Sequence, residues 1–173
     1  MREILLTRGQ VALVDDEDYE RVNQYKWYAM KHRKTFCAVR SETLRSRKEA
    51  RETGLPRRRA VLMHRFIMDA PDNVMVDHMN HNGSDSRKEN LRFCTASQNN
   101  MNQISCRGET SKYKGVCWFK QTKKWMAGIR YGGKGQYLGL FTNEIDAAKA
   151  YDKKAIELFG EFALINFPTL DND

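Results

Sequence analysis

Asp77, His78 and Asn99 are the residues of this chain whose types and spacing best support chemistry. An aspartate carboxylate and an asparagine carbonyl are hard oxygen ligands, which suit Mg²⁺ or Mn²⁺ better than zinc and leave positions for phosphate oxygens and water. A neighbouring histidine titrates near neutral pH and can take a proton from that water. A bound metal would meanwhile stabilise charge on the leaving oxygen. These groups are sufficient for the hydrolysis of a phosphodiester.

Asp77 and His78 must lie where a strand ends, because consecutive residues on a regular strand point to opposite faces. Residues 79–83 suit a loop, since Asn82-Gly83 favours positive φ angles. A second strand is predicted over residues 90–94, and Thr95 with Gln98 matches a capping box that starts a helix. The pattern predicts a small ββα unit, whose helix lies across its own hairpin and brings Asn99 near the Asp77-His78 pair.

These residues resemble the HNH nuclease family, especially the homing endonucleases of phages and mobile introns. The matching features are Asp77-His78, Asn90-Leu91 and the run Thr95–Asn99, whose last residue is Asn in place of His, as in several homing members. The resemblance implies that Asp77 and Asn99 bind one divalent metal ion and that His78 is the general base. It also implies that Asn90 braces the hairpin through backbone hydrogen bonds. Asp77-His78 alone would equally fit a chance dipeptide on a surface turn, and the ordered set is more specific.

Four further residues near this unit are weaker candidates. His64-Arg65 also resembles a pair that these nucleases carry. For His64, structural packing and a contact to phosphate or to the metal-binding residues are both open. His81 and Asp85 are interpreted as loop residues, with a contact to metal or phosphate as the alternative.

The net charge of +8 is unevenly distributed along the sequence. Residues 31–65 carry 12 Lys/Arg and 3 Asp/Glu, and residues 107–142 carry 8 and 1. Basic surfaces raise affinity for phosphate backbones through counterion release, although a solvated face that only confers solubility is an alternative. Within the first block, residues 41–59 are predicted to be a mobile polar excursion.

Three strands and one helix are predicted in the C-terminal part, the strands over residues 113–119, 124–131 and 136–141. Thr142 suits the N-cap of the helix and Gly160 its end. The predicted apolar stripe of this helix consists of Ile145, Ala148, Tyr151, Ala155 and Leu158. It would cover the apolar face of the sheet and leave a basic, aromatic face open, which can enter a major groove.

This segment resembles the plant APETALA-two/ethylene-response-factor DNA-binding domain. The match runs through Tyr113–Val116, Trp125, Ile129-Arg130, Tyr137–Gly139, Ala147–Asp152 and Asn166–Pro168. The resemblance places Lys114 and Arg130 at DNA-contacting positions, and Tyr137 replaces a tryptophan of the third strand. Charge and position add Lys120, Lys124 and Lys134 as DNA-binding candidates. Cys117 and Phe119 stand where the plant domains carry arginines, so the plant target sequence does not carry over.

The predicted architecture is α+β, with N-terminal hairpins leading into the ββα unit. The predicted domains are a nuclease domain over 1–100 with its core at 74–100, a linker over 101–112, and the sheet-plus-helix domain over 113–168. No apolar run approaches the roughly 18 residues of a membrane span. A cytoplasmic protein of a bacterium or phage-infected cell, without membrane contact, is therefore predicted. The four cysteines form no CxxC pair, so they are interpreted as reduced and no zinc is expected.

The leading hypothesis is a site-directed HNH endonuclease of a mobile element, which holds double-stranded DNA with its C-terminal sheet. A contribution of residues 31–65 to this binding stays open. The competing hypothesis is a non-catalytic DNA-binding regulator with a decayed HNH unit. A monomer has one active site and would nick one strand, whereas a homodimer could cut both, and the sequence leaves this choice open.

Overall fold

The N-terminal unit begins with a hairpin and a helix. Strands β1 (Arg2–Leu5) and β2 (Val11–Val14) pair antiparallel, and helix α1 (Asp16–Asn23) follows in this computed structural model. Three acidic residues in the first turn of α1 favour its start, because they lie at the positive end of the helix dipole. The structure describes residues 1–32, 35–102 and 110–168.

A three-stranded antiparallel sheet follows, in the order β3 (Tyr28–His32), β4 (Thr35–Thr43) and β5 (Arg58–Leu62). Residues 33–34, between β3 and β4, lie outside the described residues. The prediction of a mobile excursion over 41–59 differs from the structure, in which β4 and β5 extend into this segment and enclose helix α2 (Arg47–Thr53). Hydrogen bonds at the two ends of α2 order this segment.

Helix α3 (Met63–Ile67) leads to the hairpin of β6 (Met75–His78) and β7 (Leu91–Cys94). The apolar faces of all these elements meet in one core. The fully buried members of that core include Ala12, Val14, Val22 and Met63, with Trp27 and Leu91 nearly so. The hairpins therefore form one hydrophobic cluster with the strand that carries Asp77 and His78.

The C-terminal unit consists of α4 (Ala96–Met101), β8 (Val116–Phe119), β9 (Lys124–Tyr131), β10 (Lys134–Phe141) and α5 (Glu144–Phe159). Strand β9 lies between β8 and β10, and all pairings are antiparallel. Helix α5 covers one face of this sheet, so the predicted α+β architecture is confirmed. The chain divides into two compact units, Met1–Thr95 and Ala96–Asp173. The functional domain assignment, and the predicted linker that falls largely on residues 103–109 outside the described part, stay predictions.

The cap and the buried stripe of α5 differ slightly from prediction. The N-cap is Asn143 instead of Thr142, and its side chain accepts a hydrogen bond from the Ile145 amide at 2.8 Å. Ile145 is 41% exposed, because it lies about 90° around the helix from the centre of the buried face at 3.6 residues per turn. Gly160 ends the helix as predicted.

None of the helices in the described part of the chain is long and apolar enough to cross a membrane. Cys37, Cys94 and Cys117 are free thiols, as expected, and Cys106 lies outside the described residues.

Candidate functional site

Asp77 and His78 are the last two residues of β6. They pair with Arg92 and Leu91 of β7, and the following Met79 amide donates to the Asn90 carbonyl at 2.9 Å. Strand β6 ends at His78, the position at which the prediction needs a strand end. Both residues are still paired with β7 there.

Arg92 is an unforeseen partner of Asp77. Its Nη2 lies 3.1 Å from Asp77 Oδ2, and both side chains are largely shielded from solvent. Losing one member of such a shielded pair is costly, because the remaining charge loses its partner. The pair follows from the register of β6 and β7, which the sequence pattern alone does not specify.

The imidazole of His78 is held in its neutral form. Burial lowers the pKa of His78 below its ordinary value, and the carboxylates of Asp77 and Asp85 oppose that shift only in part. At neutral pH the ring is therefore predominantly unprotonated, which is the form that a general base needs.

His64 packs edge-on against His78. The two ring centroids are 4.6 Å apart, with 77° between the planes, and His64 itself is buried on α3. Burial, followed by the charges of His78 and Arg65, lowers the pKa of His64 to about 3. Of the two alternatives left open for His64, this geometry is that of a packed, neutral ring beside the candidate base.

Arg65 fixes the turn that leads into β6. Its guanidinium donates to the carbonyl oxygens of Ala70, Pro71 and Val74, at 3.3, 2.7 and 2.5 Å. These bonds tie α3 to the residues just before Met75. Arg65 therefore influences the site indirectly, by holding the backbone of the turn that leads into β6.

Asn90 and Asp85 organise the loop between β6 and β7. Asn90 Oδ1 accepts from the Asn80 amide at 2.9 Å, and its Nδ2 donates to the Asp85 carbonyl at 2.8 Å. The Asp85 side chain is buried and accepts from Arg87 at 2.8 Å and from Asn80 at 2.8 Å. The hydrogen bond from Arg87 is the main reason that the pKa of Asp85 is lowered. Asp85, interpreted from sequence as a loop residue, is an anchor of this loop.

The same loop is fastened to strands β2 and β4. The Gly83 amide donates to Thr35 Oγ1 at 3.0 Å, and the Ser86 amide donates to the Leu13 carbonyl at 2.9 Å. A Cβ atom on Gly83 would lie only 2.6 Å from the Phe36 carbonyl oxygen, so the close approach requires glycine.

The predicted positive φ at Asn82-Gly83 was wrong. The left-handed residue of this loop is His81, at φ 62°, and Gly83 serves close packing instead. The sequence did not indicate the packing role of Gly83, because its contact with β4 joins residues that are far apart in the sequence.

Asn99 lies on α4, a helix that begins directly after Thr95 as predicted. Helix α4 belongs to the C-terminal unit, where Met101 packs against the cluster of Ile129, Tyr151, Ala155 and Phe159. The approach of Asn99 to Asp77 and His78 stays a prediction.

The donor set of Asp77 and Asn99 suits a hard divalent cation. Within residues 1–32, 35–102 and 110–168, no group of three or more His, Cys, Asp or Glu side chains is placed to hold a metal. A set of one carboxylate and one amide oxygen is not such a cluster. Mg²⁺ is commonly held by one or two protein oxygens, with substrate phosphates and water completing its shell, so the donor chemistry fits Mg²⁺ or Mn²⁺.

Three of the predicted DNA-binding residues share one face of the C-terminal sheet. Ala127 and Ile129 of β9 are buried towards α5, so alternation places Lys124 and Arg130 on the opposite face. Tyr137 joins them there, because it pairs with Gly128, and it is 61% exposed. We call this surface, defined by Lys124, Arg130 and Tyr137, the open face.

Lys134 and Lys120 lie outside the open face. Lys134 pairs with Tyr131, whose ring contacts Phe159 of α5 at a centroid distance of 6.0 Å, so it starts β10 on the helix side. Lys120 is exposed in the turn between β8 and β9.

Lys114 points into a cavity of the C-terminal unit. Its Nζ donates to the Met101 carbonyl of α4 at 2.5 Å, and burial lowers the pKa of Lys114 to about 8. The cavity has a volume of about 410 Å³, and its lining includes Ser97, Tyr151 and Phe159. The ammonium group is therefore engaged by the backbone of α4.

Comparison with known proteins confirms both resemblances. Residues 69–101 match the family model of the HNH endonucleases. The chain is 28% identical over 168 residues to an uncharacterized HNH endonuclease of Acanthamoeba polyphaga mimivirus, an alignment that covers 92% of this chain and 76% of the viral protein.

The C-terminal part is similar to plant proteins. APETALA2-like protein 2 of Oryza sativa subsp. indica is 42% identical over 65 residues, which cover 38% of this chain and 15% of the rice protein. AP2-like ethylene-responsive transcription factor TOE2 of Arabidopsis thaliana is 41% identical over 61 residues, which cover 35% of this chain and 13% of the Arabidopsis protein. The chain thus spans a small share of these plant relatives, and the similarity concerns one domain of each.

Proposed function

We propose that this protein is a site-directed DNA endonuclease that hydrolyses phosphodiester bonds with one divalent metal ion and with His78 as the general base. The observation that carries the proposal is the neutral His78 at the end of β6, directly after Asp77, inside the segment that matches the HNH endonuclease model. The mimivirus relative, which aligns with most of the chain and has the same family name, supports it.

Asp77 and Asn99 would hold Mg²⁺ or Mn²⁺ through their side-chain oxygens. The bound ion would supply charge stabilisation at the phosphate and at the leaving oxygen. Arg92 holds one oxygen of Asp77 and so limits the orientations of the carboxylate. No zinc is required, because neither ligand is a thiolate or an imidazole.

The role of His78 is to accept the proton of the attacking water. Its neutral state at physiological pH follows from burial, and the ring of His64 restricts its rotation. Asn90 and Arg65 act indirectly. Asn90 fixes the loop after β6, and Arg65 fixes the turn before it. These positioning residues keep the base in place without touching the substrate.

The open face of the C-terminal sheet would hold double-stranded DNA. Lys124 and Arg130 supply positive charge, and Tyr137 supplies an exposed aromatic ring. The similarity to plant transcription factors supports this role. Lys120 and Lys134 would reach phosphates from the edges of the sheet, whereas Lys114 would first have to leave the carbonyl of Met101.

One ββα unit carries one candidate active site. A monomer would therefore nick one strand, and a homodimer would cut both strands. Sedimentation of the protein with and without a DNA duplex distinguishes these two modes.

The test is incubation of purified protein with supercoiled plasmid and with host or phage genomic DNA, in Mg²⁺ or Mn²⁺. We expect conversion to nicked or linear DNA, abolished by EDTA and reduced by about 10²–10⁴-fold in His78→Ala. His32→Ala is the matched control, because His32 is exposed on β3 of the same unit. Intact DNA of both kinds, tightly bound by wild-type protein, would favour the non-catalytic DNA-binding alternative.

A further inference from the structure

Residues 41–60 form an ordered projection from the N-terminal unit, which we call the basic arm. It comprises the outer pairs of β4 and β5, from Ser41↔Ala60 to Thr43↔Arg58, and helix α2 between them. None of its residues is buried. The arm therefore contributes nothing to the hydrophobic core, and its order has a different origin.

Local hydrogen bonds order the arm. Ser46 and Glu49 form a reciprocal capping box, with bonds of 2.8 and 3.2 Å, at the start of α2. Gly54 ends the helix in the left-handed conformation at φ 67°. The Leu44 amide donates to the Arg57 carbonyl at 2.8 Å and closes the hairpin beneath the helix. The order of the arm therefore comes from local hydrogen bonds and not from a core.

The charge of the arm is mostly uncompensated. It carries seven Lys/Arg and three Asp/Glu. Glu42 pairs with Arg59, and the carboxylate of Glu49 is used by the capping box. Within the described residues, six cations of the arm have no ion pair to a carboxylate: Arg45, Arg47, Lys48, Arg51, Arg57 and Arg58.

Three of these cations crowd one side of α2. Arg51 is four residues from Arg47 and three from Lys48, which makes them neighbours on the helix surface. Like charges at these spacings disfavour a helix, and a helix of seven residues gains little stability of its own. The cluster therefore lowers the stability of the helix, and a bound anionic surface would offset that cost.

The arm also begins close to the candidate base. Strand β5 runs directly into α3, whose His64 contacts His78. At about 3.3 Å per residue, Arg58 lies within roughly 20 Å of His64 along the strand. That length corresponds to about six phosphates of one DNA strand, at 3.4 Å per phosphate.

We infer that the basic arm binds backbone phosphates of duplex DNA, with Arg58 within about half a helical turn of the scissile bond and the α2 cluster farther out. This inference rests on the proposed function and adds a second contact surface to the open face. The α2 cluster and Arg58 would contact phosphates, which position the duplex without reading its sequence.

The test compares Lys48→Gln/Arg51→Gln with Lys149→Gln/Lys153→Gln, which removes the same charge from exposed residues of α5. The affinity for a duplex that wild-type protein cleaves is measured against salt concentration in EDTA, so that binding is separated from cleavage. We expect the arm variant to reduce the slope of log K against log salt by about 1.8, or 0.9 for each lost phosphate contact. The α5 variant should leave the slope at the wild-type value.

A second variant removes helix α2 and its flanking turns without touching the core. Residues 45–56 are replaced by Asn-Gly, which suits a two-residue hairpin closed by Leu44 and Arg57. We expect native unfolding behaviour and loss of backbone protection beyond about six nucleotides from the cleavage position, while the contact of Arg58 is kept. Wild-type binding with an unchanged slope and footprint in both arm variants would overturn the inference and leave the proposed function standing. Absence of wild-type binding to any duplex would overturn both.

Discussion

The loop that follows His78 and the open face of the C-terminal sheet are built in opposite ways. The loop is held by hydrogen bonds to residues distant in sequence, such as Gly83 to Thr35 and Ser86 to Leu13. The open face consists of exposed side chains on β9 and β10, in a sheet whose other side is buried against α5. A proton-transferring group must be fixed within a narrow range of geometries, whereas phosphate contacts tolerate flexible cations. The difference predicts that changes in the two regions affect different measurable quantities.

His78→Ala should give the largest difference between an effect on cleavage and an effect on DNA binding. The DNA cleavage rate should fall by about 10²–10⁴-fold, because proton transfer from water loses its acceptor. The dissociation constant for the same duplex, measured in EDTA, should stay at the wild-type value. A parallel loss of binding would contradict the assignment of His78 to catalysis alone.

Arg130→Ala should produce the converse result. Loss of this exposed cation from the open face should weaken duplex binding by about 1–3 kcal/mol. The cleavage rate at saturating DNA should not change, since His78 and Asp77 are untouched. Lys153→Ala on α5 is the control for net charge, and its affinity should remain close to that of wild-type protein. An equal loss of duplex affinity in both variants would mean that overall charge, and not the open face, determines binding.

Gly83→Ala tests the rigidity of the loop. The added Cβ would lie 2.6 Å from the Phe36 carbonyl oxygen and 2.8 Å from Cys37 Sγ, so the backbone must shift. We expect a loss of about 1–3 kcal/mol in the free energy of unfolding by urea, together with slower cleavage. Gly135→Ala is the control, because no atom lies within 4 Å of its Cβ position. Unchanged stability in Gly83→Ala would show that the loop adapts more freely than its contacts indicate.

The buried His64 predicts a smaller, pH-dependent effect. Its pKa of about 3 in the folded state lies below the ordinary value of 6.5, so the unfolded chain binds more protons between these values. Stability is therefore highest above pH 6.5 and falls by up to about 1.4 kcal/mol per pH unit as the pH drops towards 3. Urea unfolding in EDTA between about pH 6.5 and 5, above most carboxylate titrations, measures this slope.

His64→Phe keeps an aromatic ring and removes the titration. It should flatten the pH dependence, leaving the contribution of His78, whose pKa is also lowered. His32→Gln, at an exposed position, should leave the slope unchanged. An unaltered slope in His64→Phe would mean that His64 is not the group that is buried in its neutral form.

Elements with a strong local signal were predicted well from the sequence. The strand over residues 124–131, the start of α4 directly after Thr95 and the end of α5 at Gly160 each depend on neighbouring residues. The basic arm shows a signal that was overlooked, because Ser46 and Glu49 have capping-box spacing and Gly54 marks a helix end. A high density of charge was interpreted as mobility, although local caps are enough to order a short helix within a hairpin.

The sequence by itself determined which chemistry is available to this protein. Side-chain types and their order select Asp77, His78 and Asn99, because ligand hardness and proton affinity are properties of the residues themselves. The tertiary structure decided how these groups are tuned and supported. The Arg92 partner of Asp77, the His64 ring beside His78 and the engagement of Lys114 with Met101 all join residues through register and packing. Such contacts depend on where whole elements lie in space, and no local pattern encodes that placement.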